Sequence, residues 1–290
     1  MAFGCWMAFL ELITSCYGGT MKQFKHFKVL SILLVTFLFV SGVFAGDYPL
    51  RSEYPTAKPI TTKELNRDYN NYYIVDVRSR FEFDVIHIKK AKHISISKRS
   101  FPKLLEQLVG GNKSAKIAFY CNGITCAKSY KACKKANEMG YTNARVHDDG
   151  IFTWTEANPS KSVLLGKSPV KSSDLIPKSK LNKHMLPVKK FTDLSKADTS
   201  VLFDLRDPIQ RAKNPAFPKK SVKIDMDRFV KNLSKDQFRE KIKGKTILMY
   251  DAVGKQVRWL QYYLEANGFK NYYFLSKGAW SIFGAKGATK

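Results

Sequence analysis

Ile117-Ala118-Phe119-Tyr120-Cys121-Asn122-Gly123-Ile124-Thr125-Cys126-Ala127-Lys128 joins a short apolar run to a segment, Ser129 to Met139, with helical period. The apolar run Ile117 to Tyr120 reads as a buried strand. A cysteine at the carboxyl end of such a strand, followed by a tight loop and a helix start, sits where backbone N–H groups and the helix dipole converge on an anion. Those groups, with a lysine close by, favour thiolate over thiol, and the thiolate is the nucleophilic form. Cys121 is therefore the candidate nucleophile. The N–H groups of Asn122, Gly123, Ile124, Thr125, Cys126 and Ala127, together with the Lys128 ammonium, are the candidate substrate cradle. Cys133 shares a helical stripe with Ala132, Ala136 and Met139, so core packing is its expected role.

The residues around this loop follow a recognisable order. Upstream stand Val75-Asp76-Val77-Arg78, Glu82-Phe83, His87-Ile88, Ala91 and His93-Ile94; downstream come Gly140-Tyr141 and Gly150-Ile151-Phe152-Thr153-Trp154. Over roughly residues 56 to 160 this order resembles the rhodanese family of sulfurtransferases. The resemblance implies that Cys121 takes up a sulfane sulfur as a persulfide and hands it to a nucleophilic acceptor. It implies framework roles for Asp76 and Arg78, as a buried ion pair or capping network, and structural roles for Glu82 and His87. It calls for no cofactor and no metal.

One feature departs from the common rhodanese pattern, in which a basic residue stands five positions after the cysteine. Here Lys128 stands seven after Cys121, so the loop is two residues longer. It looks like a bacterial subgroup with Cys-Asn-Gly-x-x-Cys loops, often exported. A longer loop widens the cradle, as in related phosphatases, which keeps phosphoryl chemistry as a minor alternative. Those enzymes grip the oxyanion with the planar fork of an arginine, whereas a lysine offers a point charge, and this favours sulfur.

The chain then repeats itself. Val75-Asp76-Val77-Arg78 returns as Phe203-Asp204-Leu205-Arg206, offset by 128; Phe119-Tyr120-Cys121 returns as Met249-Tyr250-Asp251, offset by 130. Gly140-Tyr141-Thr142-Asn143 returns as Gly268-Phe269-Lys270-Asn271, and Gly150 as Gly278, again at 128. Such a long period signals a duplicated domain. The offset falls from 130 back to 128 after Cys121, so the two additional residues there are assigned to the loop of the first copy. The nucleophile position of the second holds Asp251, which cannot carry sulfane sulfur and is expected to sit among the N–H groups as an internal anion. The second copy is thus predicted to be inactive in sulfur transfer.

The expected layout is a leader over 1–45, a catalytic rhodanese-like domain over 46–160, a linker over 161–186 and an inactive rhodanese-like domain over 187–290. Asn158 to Pro187, rich in Lys, Ser and Pro, has little sustained apolar period and reads as a surface connector. The fold class is α/β: each copy alternates short β-rich runs (Tyr72 to Val77, Ile117 to Tyr120; Val201 to Leu205, Thr246 to Tyr250) with helical stretches. That pattern predicts two parallel sheets with helices on both faces. Ligands of such sheets bind beyond the carboxyl ends of the strands, where Cys121 falls.

Met21-Lys22-Gln23-Phe24-Lys25-His26-Phe27-Lys28 is a basic start, Val29 to Val40 is apolar, and Val43-Phe44-Ala45 offers a small-residue cleavage site. Met21 is the expected start of this signal peptide, which predicts export to the periplasm. The apolar stretch is shorter than the ~20 residues of a spanning helix. Cleavage would remove Cys5 and Cys16 and leave Cys121, Cys126 and Cys133. In an oxidising compartment Cys121 and Cys126 can pair only if their Cα atoms approach within about 7 Å, which the sequence leaves open.

The chain carries 50 basic and 24 acidic residues, a net charge of +26. The leader contributes Lys22, Lys25, Lys28 and Glu11, so its loss scarcely alters the excess. Such a field raises the encounter rate with small anions such as thiosulfate and favours peripheral contact with an anionic membrane. The lysines are dispersed and no nucleic-acid motif is present, which argues against a nucleic-acid partner. Two functions follow. The first is a sulfurtransferase moving sulfur from thiosulfate or a persulfide donor through Cys121 to a thiol, protein or cyanide acceptor. The second is a periplasmic redox or sulfur-binding module in which Cys121 and Cys126 cycle between dithiol and disulfide.

Overall fold

The computed structural model describes residues 48–213 and 220–283. The expected leader, 1–45, lies outside them. The first half contains β1 (Tyr73–Asp76), β2 (Ile86–Ile88), β3 (Lys92–His93), β4 (Ile117–Tyr120), β5 (Ala144–His147) and β6 (Ser162–Leu164). Its helices are α1 (Thr62–Arg67), α2 (Arg80–Val85), α3 (Phe101–Val109), α4 (Ala127–Glu138) and α5 (Gly150–Ala157). β3, β1, β4 and β5 form a parallel sheet in that order.

Because successive strand residues face opposite ways, this sheet feeds two cores. Val75 of β1 and Val77 just beyond it, with Ile117 and Phe119 of β4 and Cys121 just after it, pack against Phe101 and Leu105 of α3 and Tyr130 and Cys133 of α4. Ile74, Ala118 and Tyr120 face the other side, where Leu65 of α1, Val85 of α2 and Ile151 and Trp154 of α5 cover them. Helices thus lie on both faces, and Cys133 is buried on the expected stripe. α2 starts at a reciprocal cap: Ser79 Oγ accepts the Glu82 N–H and the Glu82 carboxylate accepts the Ser79 N–H. This satisfies two otherwise orphaned donors at a helix of only two turns.

The second half repeats the order. Its strands are β7 (Met185–Leu186), β8 (Ser200–Asp204), β9 (Val222–Lys223), β10 (Thr246–Tyr250) and β11 (Tyr272–Leu275). They form a parallel sheet ordered β7-β11-β10-β8-β9. The helices are α6 (Lys178–His184), α7 (Val188–Ser195), α8 (Pro208–Lys213), α9 (Met226–Asn232), α10 (Asp236–Ile242), α11 (Val257–Ala266) and α12 (Trp280–Phe283). Again alternate residues divide: Phe203, Ile247 and Met249 enter one core, Leu202, Leu248 and Tyr250 the other. Edge strand β7 has a counterpart in the first half, where Pro59 bridges Val146 of β5 in parallel.

The segment 158–187 is more ordered than its composition predicts. β6 pairs antiparallel with β2, α6 forms after Pro177, and β7 joins the second sheet. Each element is too short to show a hydrophobic period and is held by pairing with distant residues. α4 starts at Ala127, two residues before the expected Ser129, so the expected longer cysteine loop is corrected: 121–126 matches 251–256 in length, and the two additional residues of the first copy fall in α4, twelve residues against ten in α11.

The halves meet through α11. Trp259 and Tyr262 complete the first half's core, and Phe81 of α2 packs into the second. Phe152 stacks on Trp259 with ring centroids 5.6 Å apart, and Phe81 lies 5.7 Å from Tyr263. The Tyr262 hydroxyl accepts the Ile176 N–H at 3.1 Å.

Candidate active site

Cys121 follows the last residue of β4, and its thiol side belongs to the core face. The Ile151 N–H donates to the Cys121 carbonyl at 3.0 Å, tying the loop to the start of α5. That approach requires Gly150. Its φ is +80°, and a Cβ there would stand 2.4 Å from the Gly123 nitrogen and 2.6 Å from the Asn122 carbonyl carbon. Both neighbours are backbone, so neither can swing away. Gly150→Ala is expected to lower unfolding stability by roughly 2 kcal/mol or more in urea titrations. An unchanged midpoint would contradict this close-packed loop.

Asn122 is clamped rather than free to meet a ligand. Arg78 Nη1 donates to its side-chain oxygen at 3.1 Å, and its amide donates to Glu82 Oε1 at 2.8 Å. Arg78 and Asp76, both fully buried, pair through several contacts, Nη2 to Oδ2 at 2.6 Å among them. The framework pair implied by the resemblance is therefore present, and it extends to the cysteine loop. His87 packs away from the loop, stacked 4.1 Å from Phe83 with Nδ1 2.8 Å from the Phe83 carbonyl.

Lys128 turns to the same network. Its Nζ lies 3.7 Å from Glu82 Oε2, so its charge compensates a buried carboxylate. Burial alone would raise the Glu82 carboxyl; the Asn122 hydrogen bond and the charges of Arg78 and Lys128 outweigh it and hold the group below its usual range. Among the cradle groups, the Cys126 N–H is spent on the Gly123 carbonyl at 2.9 Å. Ile124 stands at the exposed tip, and Thr125 beside it is exposed as well. Cys126 is the N-cap of the twelve-residue α4, with Ala127 its first residue. The helix dipole thus converges on the loop as expected.

The open question of pairing is resolved: Cys121 and Cys126 form a disulfide, their Cα atoms 6.2 Å apart. The five-residue separation closes a ring that contains the whole loop. Cys133 remains a buried free thiol, and burial pushes its pKa up to about 12. In the reduced, folded protein at neutral pH, iodoacetamide is therefore expected to spare Cys133 while the half-buried Cys126 reacts. Comparable labelling of Cys133 in peptide mass maps would contradict its placement.

The second loop shows what this architecture does with an anion. The Asp251 carboxylate accepts N–H groups from Val253 at 3.0 Å, Gln256 at 2.7 Å and Val257 at 3.3 Å, and a fourth from Gly254. Burial raises the Asp251 pKa, with those four donors pulling the other way. The Ala279 N–H donates to the Asp251 carbonyl at 2.8 Å, as Ile151 does to Cys121. A Cβ on Gly278 would meet that carbonyl oxygen at 2.5 Å, matching the constraint at Gly150. The internal anion expected from sequence is in place.

Several residues at the site's edge had no signal in the sequence because they come from the other half. Ser79 Oγ donates to Gln256 Oε1 at 3.5 Å, and the Arg78 guanidinium lies 5.3 Å from the Trp259 ring. Arg258 stacks 4.6 Å over Phe152, with burial lowering its pKa and Glu82 within electrostatic reach. Each is ordinary in its own repeat and acquires its position only when α11 packs on α2.

Residues 61–157 match the family described as Rhodanese-like domain, and this part of the chain is a rhodanese-like domain. No curated protein matches the chain. Among solved structures, thiosulfate sulfurtransferase from Pseudomonas aeruginosa is 15% identical, covering 78% of this chain and 42% of its own, with a TM-score of 0.37. A rhodanese-related protein from Thermoplasma volcanium is 25% identical over 34% of this chain and 92% of its own, TM-score 0.29. A human single-domain sulfurtransferase is 23% identical over 34% of this chain and 96% of its own, TM-score 0.30.

Proposed function

We propose that the protein is a sulfurtransferase whose first half carries sulfane sulfur on Cys121. The observation that carries this reading is the position of Cys121: at the end of β4, in a loop leading to the N-terminus of α4, inside the rhodanese-like domain. In the reduced protein the thiolate attacks the outer sulfur of thiosulfate or of a persulfide donor. Its lone pair forms the new S–S bond, and the bond to sulfite or to the donor thiol breaks with its electron pair leaving on that group. A thiol, a protein thiol or cyanide then takes the outer sulfur and regenerates the thiolate. Loop N–H groups and the α4 dipole stabilise the negative charge, while Arg78, Glu82 and Lys128 hold Asn122 and the loop in place.

The second half is an inactive rhodanese-like copy in tandem with the first, its cradle filled by Asp251, and serves as scaffold through α11. Export to the periplasm, steering of anionic donors by the basic surface and peripheral contact with anionic lipid complete the proposal. Among the described residues no helix is long and apolar enough to cross a membrane. The Cys121–Cys126 bond favours a second reading, a dithiol-disulfide redox module. Thiocyanate formation separates the two. Protein reduced with a dithiol, desalted and mixed with thiosulfate and cyanide should produce thiocyanate catalytically, and the oxidised protein should not. No turnover and no release of sulfite from thiosulfate after verified reduction would overturn sulfur transfer and leave the redox module.

A further inference from the structure

We propose that Cys126 resolves the persulfide of Cys121, so that the first domain releases sulfide and closes its own disulfide when no outside acceptor intervenes. This inference rests on the sulfur-transfer reading and specifies the fate of the sulfur. Cys121 is 1% exposed, whereas Cys126 is half-buried at the loop's far end. A bulky outside thiol has poor access to the Cys121 sulfur; Cys126 is already within bonding reach, as the 6.2 Å Cα separation and the formed bond show. Effective concentrations for such neighbouring groups far exceed those of any dissolved thiol.

Cys126 also has the environment of an attacking group. As N-cap of α4 it lies against the positive end of a twelve-residue helix, which favours its thiolate. The other described thiol, Cys133, is sealed in the core. The second half, whose loop runs Asp251-Ala252-Val253-Gly254-Lys255-Gln256, has no thiol at either position. Loops of equal length, 121–126 and 251–256, thus enclose a pair of sulfurs in the first half and a carboxylate in the second.

The chemistry balances. Cys121 thiolate takes the outer sulfur of thiosulfate, and sulfite leaves with the bonding pair. Cys126 thiolate then attacks the Cys121 Sγ; the bond from Sγ to the sulfane sulfur breaks, and that sulfur departs with the electron pair as hydrosulfide. The sulfane sulfur is reduced by two electrons, and the two cysteine sulfurs are oxidised by two as they join. An external dithiol returns the pair to the reduced state.

The test is a single turnover of the full chain, reduced, desalted and kept anaerobic, with thiosulfate and no acceptor. The parent should release sulfide equimolar with protein and lose two hydrogens by intact mass. Cys126→Ser should release none and gain one sulfur atom; Cys126→Ala should do the same, and circular dichroism checks that both are folded. A parent that holds a stable persulfide and releases no sulfide would overturn the resolving role while leaving sulfur transfer intact. Absence of both sulfide from the parent and sulfur gain in folded variants would overturn sulfur transfer itself.

Discussion

Cys121→Ser is expected to lower thiosulfate-dependent thiocyanate formation by roughly three orders of magnitude or more. A serine hydroxyl is scarcely ionised at neutral pH and cannot store sulfane sulfur, so both half-reactions lose their carrier. Cys121 is the first residue beyond β4 and its sulfur faces the core, where an oxygen of nearly the same size is accommodated with little repacking. The folded state should therefore survive, and the loss should appear in turnover rather than in yield. A variant retaining a tenth or more of parental activity would remove Cys121 from the mechanism.

The second large effect falls on stability. Asp76→Ala leaves the Arg78 guanidinium fully buried without its carboxylate. Removing one partner of a buried ion pair typically costs about 3–5 kcal/mol, because the remaining charge is left in a poor solvent. At this chain size that corresponds to a fall in Tm of roughly 10 °C. Arg78 also donates to the Ile86 carbonyl and to Asn122, so the disturbance should reach the cysteine loop and depress activity in the fraction still folded. Asp76→Asn, which keeps part of the hydrogen bonding, should cost less than Asp76→Ala. A loss below about 1 kcal/mol, the range of exposed pairs, would show that the pair is not sealed from water.

What the sequence disclosed was whatever short range and repetition could encode. β10 was bounded correctly, and β4 likewise, because apolar runs flanked by polar turns mark buried strands. The Asp76–Arg78 pair followed from the family resemblance, and the Asp251 anion from aligning the second copy on the first, which sets an aspartate at the cysteine's position. What stayed hidden depends on the path of the chain in space. The Cys121–Cys126 bond needed the Cα separation across the loop. Lys128 was expected to face the cradle and instead meets Glu82, since a flexible ammonium goes to the nearest buried carboxylate. The β2–β6 pair joins residues some eighty positions apart and too few to show a period. Trp259, Arg258 and Gln256 reach the site only through the contact between α11 and α2.

Thiosulfate isotopically labelled at its outer sulfur tests the central claim most directly. Reduced Cys126→Ser protein, exposed to the labelled anion, quenched and digested, should carry the label on the peptide containing Cys121, and cyanide should remove it as labelled thiocyanate. A folded protein whose Cys121 peptide acquires no label, or whose label resides on Cys133, would contradict the account.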